Sequence, residues 1–483
     1  MKAVLSDICL HKGGGLQRQL YQALVERILS GRIPGGAQLP ASRQWAADLG
    51  VSRNSVSAVY EQLRSEGFLA SRQGSGFYVR EDLHHLPKTL TPPSLARSLN
   101  APPAKLAQAF KSAHGPHANL PFTPGLPDLD AFPIKVWNRL LHQQESRICV
   151  RGYDEPAGYL PLRRALQAYL RESRGVRCHE DQILITAGAQ QGLSLIADVL
   201  LAPSDTVLIE NPGYRGARGA LGRLGRTLVP VPLTAQQALD IEALEHLPPA
   251  RVLYCTPTHQ YPMGGILEIG QRLALLDWAR RTETWIIEDD YDSEFHFVGK
   301  PVAALQGLFD ETPVLYVGSF SKTLMPGLRL GYLVVPDGLI DNFRQMKRFT
   351  SGESPLLTQA VTAEFMQGGH FISHLRKMRH HYHGKWQRFH HLLETHFAGR
   401  LQPVAESAGM HLVVTGEIDD LAVVQGLSEL GIGSTPLSAH YVGKALQHGL
   451  VLGFANADDE AMARCVVALG KVLGAKSVDR GKT

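Results

Sequence analysis

Lys322 stands in the run Gly-Ser319-Phe-Ser321-Lys322, just after an apolar strand pattern, and Arg329 follows seven residues later in Gly-Leu-Arg-Leu-Gly. Lysine is the side chain able to form an imine with an aldehyde, and an arginine fork matches the geometry of a phosphate. An isolated lysine would read as a surface charge; in this setting it reads as a covalent attachment point beside an anion clamp. Thr186-Ala-Gly188-Ala189-Gln190-Gln191 follows a strand and opens a helix, so its free backbone N–H groups offer a second anion site, strengthened by the helix dipole. Trp285-Ile-Ile-Glu-Asp289-Asp290-Tyr291 sets acids at the carboxyl end of a buried strand, the edge at which open α/β sheets bind ligands. There a carboxylate keeps a pyridine nitrogen protonated, and Tyr291 reaches a phenolic oxygen. Tyr214, in Asn-Pro-Gly-Tyr, reads either as an aromatic face over a ring or as a packing residue. An imine lysine, a phosphate cradle, a ring acid and a stacking aromatic are together what pyridoxal 5'-phosphate requires.

A second chemistry lies near the amino terminus. Arg53, Asn54, Ser55, Ser57 and Arg64 fall on one face of a short helix, and Val56, Val59, Tyr60 and Leu63 on the other. Phosphates attract arginine, and base edges hydrogen-bond Arg, Asn and Ser, so the polar face suits double-stranded DNA. Ser52 caps this helix, Arg43 starts the helix before it, and Arg72 flanks glycines, Gly74 among them, that let a hairpin approach a groove closely. Periodicity alone equally allows a three-helix interaction module with a solvated charged face.

The elements that hold these residues follow from the apolar pattern. Leu16, Leu20, Leu24 and Ile28 recur every four residues and predict a helix over 16–30, ended by Gly31 and Pro34. Helices over 42–49 and 53–66 and a two-stranded wing over 68–79 complete a head of residues 1–81. Residues 82–118 hold six prolines and no sustained periodicity, which predicts a linker. From 119 to 475, buried strands over 182–186, 206–210, 251–255, 284–288 and 314–317 alternate with helices, predicting an α/β domain with a mainly parallel sheet. Its large lobe is expected at about 150–350 and a smaller lobe at about 351–475.

Charge is divided unevenly. The whole chain of 483 residues carries +4, whereas residues 1–80 alone carry ten Lys/Arg against five Asp/Glu, so the basic excess sits in the head, where a phosphate backbone would be met. Five scattered cysteines without a CxxC pair, no signal peptide pattern and no long apolar run predict a cytoplasmic protein without a membrane partner. The histidines at 380, 381, 383, 390, 391 and 396 share one polar helix without converging carboxylates, which predicts a solvated face and no metal site.

LPASRQWAADLGVSRNSVSAVYEQLRSEGFLASRQGSGFYV resembles the GntR-type winged helix-turn-helix. TAGAQQGL, ENPGYRGAR, TPTHQYPMG, EDDYDSEF and GSFSKTLMPGLRLGY resemble the fold-type I aminotransferases, and the two together resemble the MocR/GabR group of bacterial regulators. The resemblance implies that Arg43, Arg53 and Arg72 contact DNA. It further implies that Lys322 is the Schiff-base and catalytic residue, Asp289 meets the ring nitrogen, Tyr291 the phenolic oxygen, and Tyr214 stacks on the ring. Ser319, Ser321, Arg329 and the loop Gly188, Ala189, Gln190 would hold the phosphate, and Tyr153 would reach a partner subunit's phosphate in a homodimer.

Two departures stand out. The Asn-Pro pair of the enzymes appears as Tyr261-Pro262, after His259 and Gln260, and no arginine lies between 401 and 463, where the enzymes keep one for the substrate α-carboxylate; Val451 falls near that position. Arg215 and Arg218 are the nearest alternative cations. The expected function is a transcriptional regulator dependent on pyridoxal 5'-phosphate that senses an amino compound or the vitamer itself. The alternative is a working aminotransferase that carries a DNA-binding head.

Overall fold

The computed structural model describes residues 15–72, 75–82, 119–297, 303–404 and 408–475, with Leu5 and Ile8. The chain divides into two compact units, residues 1–99 and 100–483. All of the expected linker except Asp82 lies outside the described residues.

In the first unit, α1 (Leu16–Leu29), α2 (Ser42–Leu49) and α3 (Arg53–Ser65) precede the hairpin β1 (Leu69–Arg72) and β2 (Gly76–Val79), whose register pairs Leu69 with Val79 and Arg72 with Gly76. Leu20, Leu24 and Ile28 of α1 pack with Trp45, Val56, Val59, Tyr60 and Leu63 in one core. Trp45 and Tyr60 stack at 5.5 Å, and the Tyr60 hydroxyl donates to the Pro40 carbonyl at 3.1 Å. Gly50 ends α2 at φ 65, a left-handed turn that glycine makes at little cost. Ser52 then caps α3, its hydroxyl accepting from the Ser55 amide at 3.1 Å. Helix limits agree with the periodicity to within a residue or two.

The second unit is built on a seven-stranded sheet. Its strands are β3 (Ile183–Thr186), β4 (Thr206–Glu210), β5 (Thr227–Val231), β6 (Val252–Cys255), β7 (Trp285–Asp290), β8 (Val314–Ser319) and β9 (Gly331–Val334), in the order β3-β9-β8-β7-β6-β4-β5. β9 runs antiparallel to both neighbours, and every other pair is parallel. Strands β3, β6 and β9 are buried along their whole length, as expected where helices cover both faces. The five predicted strands are present; β5 and β9 were not predicted.

A smaller antiparallel sheet of β10 (Gln402–Pro403), β11 (His411–Thr415), β12 (Thr435–Pro436) and β13 (Gly449–Gly453) has the order β10-β11-β13-β12. The segment 119–125 is tied to it. Gly453 donates to the Phe122 carbonyl at 2.8 Å, Gly433 to that of Pro121 at 2.7 Å, and the Asn456 side chain bonds both Phe122 and Leu120. The histidines occupy the helix His370–Phe397, but its face is not purely solvated: His381 meets Asp128 at 2.8 Å, and His390 pairs with Glu394 at 3.3 Å. The sequence could not reveal the first pair because Asp128 lies some 250 positions away. Among the described residues no group of three or more His, Cys, Asp or Glu could hold a metal, and no helix is long and apolar enough to cross a membrane.

Candidate functional site

Strands β7 and β8 end side by side, and their carboxyl edges open into a cavity of about 1080 Å3. The segment 120–125, the loop 188–190 and the helix Asp420–Glu429 supply further walls. Lys322, Asp289, Tyr291, Tyr214, Gly188, Ala189, Gln190, Ser319, Ser321 and Arg329 all line it. Residues far apart in the sequence are thus gathered on one sheet edge. Tyr153 does not join them; it is 96 % exposed.

Lys322 donates to the Gly125 carbonyl at 2.7 Å, and Gly125 stands at φ 78, a left-handed conformation that favours glycine. Burial lowers the Lys322 pKa, opposed by the charges of Asp292 and Asp289. Asp289 is buried, and the Tyr254 hydroxyl donates to its Oδ2 at 2.7 Å. Burial pushes the Asp289 carboxyl up to about 7, against the Tyr254 bond, which favours the anion.

Also lining the cavity, Gly188 adopts φ 85 and caps the helix Ala189–Leu200. The first turn of a helix lacks internal partners for its N–H groups, and Ala189 and Gln190 are that turn. Arg329 follows a single 3-10 turn at φ 49, and its guanidinium comes up to this loop: a β-carbon on Gly188 would lie 3.9 Å from Nη1. Ser319 and Ser321 are hydrogen-bonded to each other at 2.9 Å, at the end of β8. These groups converge as an anion cradle. The Tyr214 ring lies across Gly216, where a β-carbon would meet it at 2.4 Å, and stands edge-on to Tyr261 at 5.9 Å.

Several cavity residues carry no signal in the sequence. Tyr254 stands in a strand that reads as continuous apolar filling. His259 stands in His-Gln-Tyr-Pro, where the sequence suggests no role; its Nδ1 lies 2.9 Å from Asp292 and 2.8 Å from the Tyr291 hydroxyl. His411 and Tyr261 also line the cavity, and burial holds the His411 imidazole down at about 4, hence neutral. The two alternative arginines part company. Arg215 is buried and lines the cavity, whereas Arg218 is spent on the backbone carbonyls of Ala439 and Tyr441 and does not line it. Arg218 is therefore a brace for the 439–441 turn rather than an anion site. Val451 lies in an apolar cluster with Met263, Val413 and Leu437.

In the head, Arg43, Ser52, Arg53, Asn54 and Arg72 are exposed, and Ser55 and Ser57 are half-buried along α3. Ser52 and Ser55 share a bond at 2.8 Å, Arg64 pairs with Glu61 at 2.7 Å, and Arg72 lies 4.6 Å over the Tyr78 ring. Gly74 lies outside the described residues.

Comparison with known proteins agrees with both halves. Residues 16–79 match the bacterial regulatory proteins of the gntR family, and residues 125–469 match aminotransferase class I and II. The chain is 36 % identical over 468 residues to the probable rhizopine catabolism regulatory protein MocR of Rhizobium meliloti, covering 94 % of this chain and 93 % of that one. It is 29 % identical over 452 residues to the pyridoxine biosynthesis transcriptional regulator PdxR of Corynebacterium glutamicum, covering 94 % of each. Among solved structures, the α-aminoadipate aminotransferase LysN of Thermus thermophilus, complexed with N-(5'-phosphopyridoxyl)-L-leucine, superposes with a TM-score of 0.69 at 26 % identity, covering 76 % of this chain and 97 % of that one. The chain belongs to the MocR-type transcriptional regulators of the GntR family, in which a DNA-binding winged helix-turn-helix is fused to an aminotransferase class I and II domain.

Proposed function

We propose that the cavity holds pyridoxal 5'-phosphate and that its occupancy governs how the head engages DNA. The observation that carries this is that Lys322, Asp289, Arg329 and Gly188 line one cavity, with the Arg329 guanidinium close to Gly188. Bound there, the cofactor would supply an aldehyde for amines and an electron-withdrawing ring. Lys322 would hold the aldehyde carbon, Asp289 the ring nitrogen, Tyr291 the phenolic oxygen and Tyr214 the ring face. Arg329, Ser319, Ser321 and the Gly188–Gln190 amides would hold the phosphate. A cationic ring nitrogen beside Asp289 offsets the burial that raises its pKa, so the acid and the ring suit each other.

The effector follows from what the cavity lacks and what it keeps. A buried carboxylate needs a cationic partner. Val451 cannot supply one, and Arg215 is the arginine beside Tyr214 that lines the cavity. This favours an ω-amino acid, an amine or the vitamer over common α-amino acids. The name of PdxR, which ties that relative to pyridoxine biosynthesis, supports a vitamer signal. A ligand moves the head only through different affinities for its two arrangements. The protein acts as a homodimer in the bacterial cytoplasm, on an operator. Tyr153, so exposed in one chain, is free to reach a phosphate in another. Retention of Lys322 and Asp289 keeps transamination chemically open, which is the second reading.

Borohydride treatment of purified protein should trap a phosphopyridoxyl adduct on Lys322, and Lys322→Ala should lose it. An adduct on a different lysine sinks the assignment.

A further inference from the structure

We infer that His411 Nδ1 is a hydrogen-bond acceptor in the cavity, selecting an effector that carries a hydroxyl or ammonium group besides the amine that meets the cofactor. The inference rests on the reading that the cavity holds pyridoxal 5'-phosphate and senses an amino compound.

His411 opens β11 opposite Gly453, is 3 % exposed and lines the cavity. Its Nε2 lies 3.0 Å from the Pro262 carbonyl oxygen. A carbonyl only accepts, so Nε2 carries a hydrogen and donates it there. Burial, His259 and Lys322 disfavour a charge on the ring more than Asp292 and the Pro262 carbonyl favour it, so the ring stays neutral. A neutral imidazole has one N–H, and Nε2 has it; Nδ1 therefore bears a lone pair. Among the described residues nothing donates to Nδ1. Nor is it one of the unpartnered atoms that the fold seals off, as Ser293 Oγ and Thr323 Oγ1 are. Its open side is the cavity.

The cofactor has no hydrogen to offer this atom. In the assignment above, its phosphate and phenolic oxygens are acceptors and its ring N–H goes to Asp289. The lone pair is left for the second ligand. Around it stand the rings of Tyr261, His259 and Tyr291, at 5.3, 5.9 and 6.5 Å from the His411 ring. An alkyl end pushed against this wall strips Nδ1 of solvent and strands an acceptor, whereas a hydroxyl or ammonium replaces the bond. A site built to hydrogen-bond a ligand's donor thus rejects the analogue that lacks it.

The test titrates the holo-protein with n-alkylamines, ω-amino alcohols and α,ω-diamines of matched chain length, following the cofactor's visible band to obtain each Kd. At the best length the amino alcohol or the diamine should bind about tenfold tighter than the alkylamine, the worth of one bond to an acceptor otherwise stranded. Which of the two does so tells hydroxyl from ammonium. In His411→Gln the side-chain amide falls where Nε2 was, keeping a donor for Pro262 and lacking Nδ1; the ratio should drop to about one. His411→Asn, whose amide oxygen falls where Nδ1 was, should keep most of the preference. Should His411→Gln fail to fold, His411→Phe supplies the same comparison. Equal Kd values for all the probes on wild type, or an equal loss for all of them in His411→Gln, overturns the role of His411 while leaving the cofactor reading intact. A wild-type protein without a cofactor band, or whose band no amine shifts, overturns the sensing reading and the inference together.

Discussion

At the scale of single residues, the buried Asp289 carboxyl group and the Lys322 amine line one cavity. Asp289 is pushed up to about 7, chiefly by burial, whereas the same group in an unfolded chain titrates near 3.9. A folded state that holds the proton more tightly is stabilised below the unfolded pKa, and that stabilisation is lost as pH rises toward the folded one. Cofactor-free Asp289→Asn should therefore gain stability relative to wild type as pH rises from about 4 to about 7, and hold that advantage above it. Melting temperatures of both proteins across this range check the sign; a difference independent of pH contradicts it. Asp289, Tyr291, Lys322 and Arg329 were legible in the sequence because each stands at the end of a strand or in a glycine-bounded loop, where side chains of that chemistry have few structural uses. Tyr254 and the His259–Asp292 pair were not, because their roles depend on neighbouring strands and loops that only the fold brings together.

At the scale of elements, capping and periodicity explain what was read and what was missed. The head's helices were legible because their apolar residues recur at helical spacing and end at Gly31, Gly50 and Gly67, each at positive φ. β9 was hidden inside Gly-Leu-Arg-Leu-Gly-Tyr, whose glycine and arginine read as a ligand loop. It is in fact a loop that runs straight into a buried strand, with Gly331 packed so tightly that a β-carbon would fall 2.8 Å from Gly188. β5 carries Pro230, a residue that disfavours a central strand; it lies at the sheet edge, where proline is tolerated. Ser52 does structural duty whatever it does on DNA. Ser52→Ala should cost about 1 kcal/mol, read as about fivefold faster amide exchange at Ser55 and Val56, and Ser52→Asn should restore protection. Unchanged exchange in the alanine variant would remove the cap from the account.

At the scale of the whole molecule, two units with different chemistry share one chain: a basic head suited to phosphate backbones and a cavity suited to an amine-reactive cofactor. Both folds were legible, since each carries long motifs whose residues must sit together for the chemistry to work. What links them lies in 82–118, where composition predicts only a linker. Ligands of the cavity are expected to change the head's grip on DNA without rapid turnover. The most direct measurement titrates the holo-protein on an operator fragment with amines, ω-amino acids, vitamers and common α-amino acids, following the cofactor band and DNA binding together. One of the first three classes should shift both signals at the same concentration, while common α-amino acids react poorly. Rapid, complete conversion to the pyridoxamine form by an ordinary α-amino acid with an oxoacid acceptor, with DNA binding unchanged, would contradict it and make the protein an enzyme that carries a head.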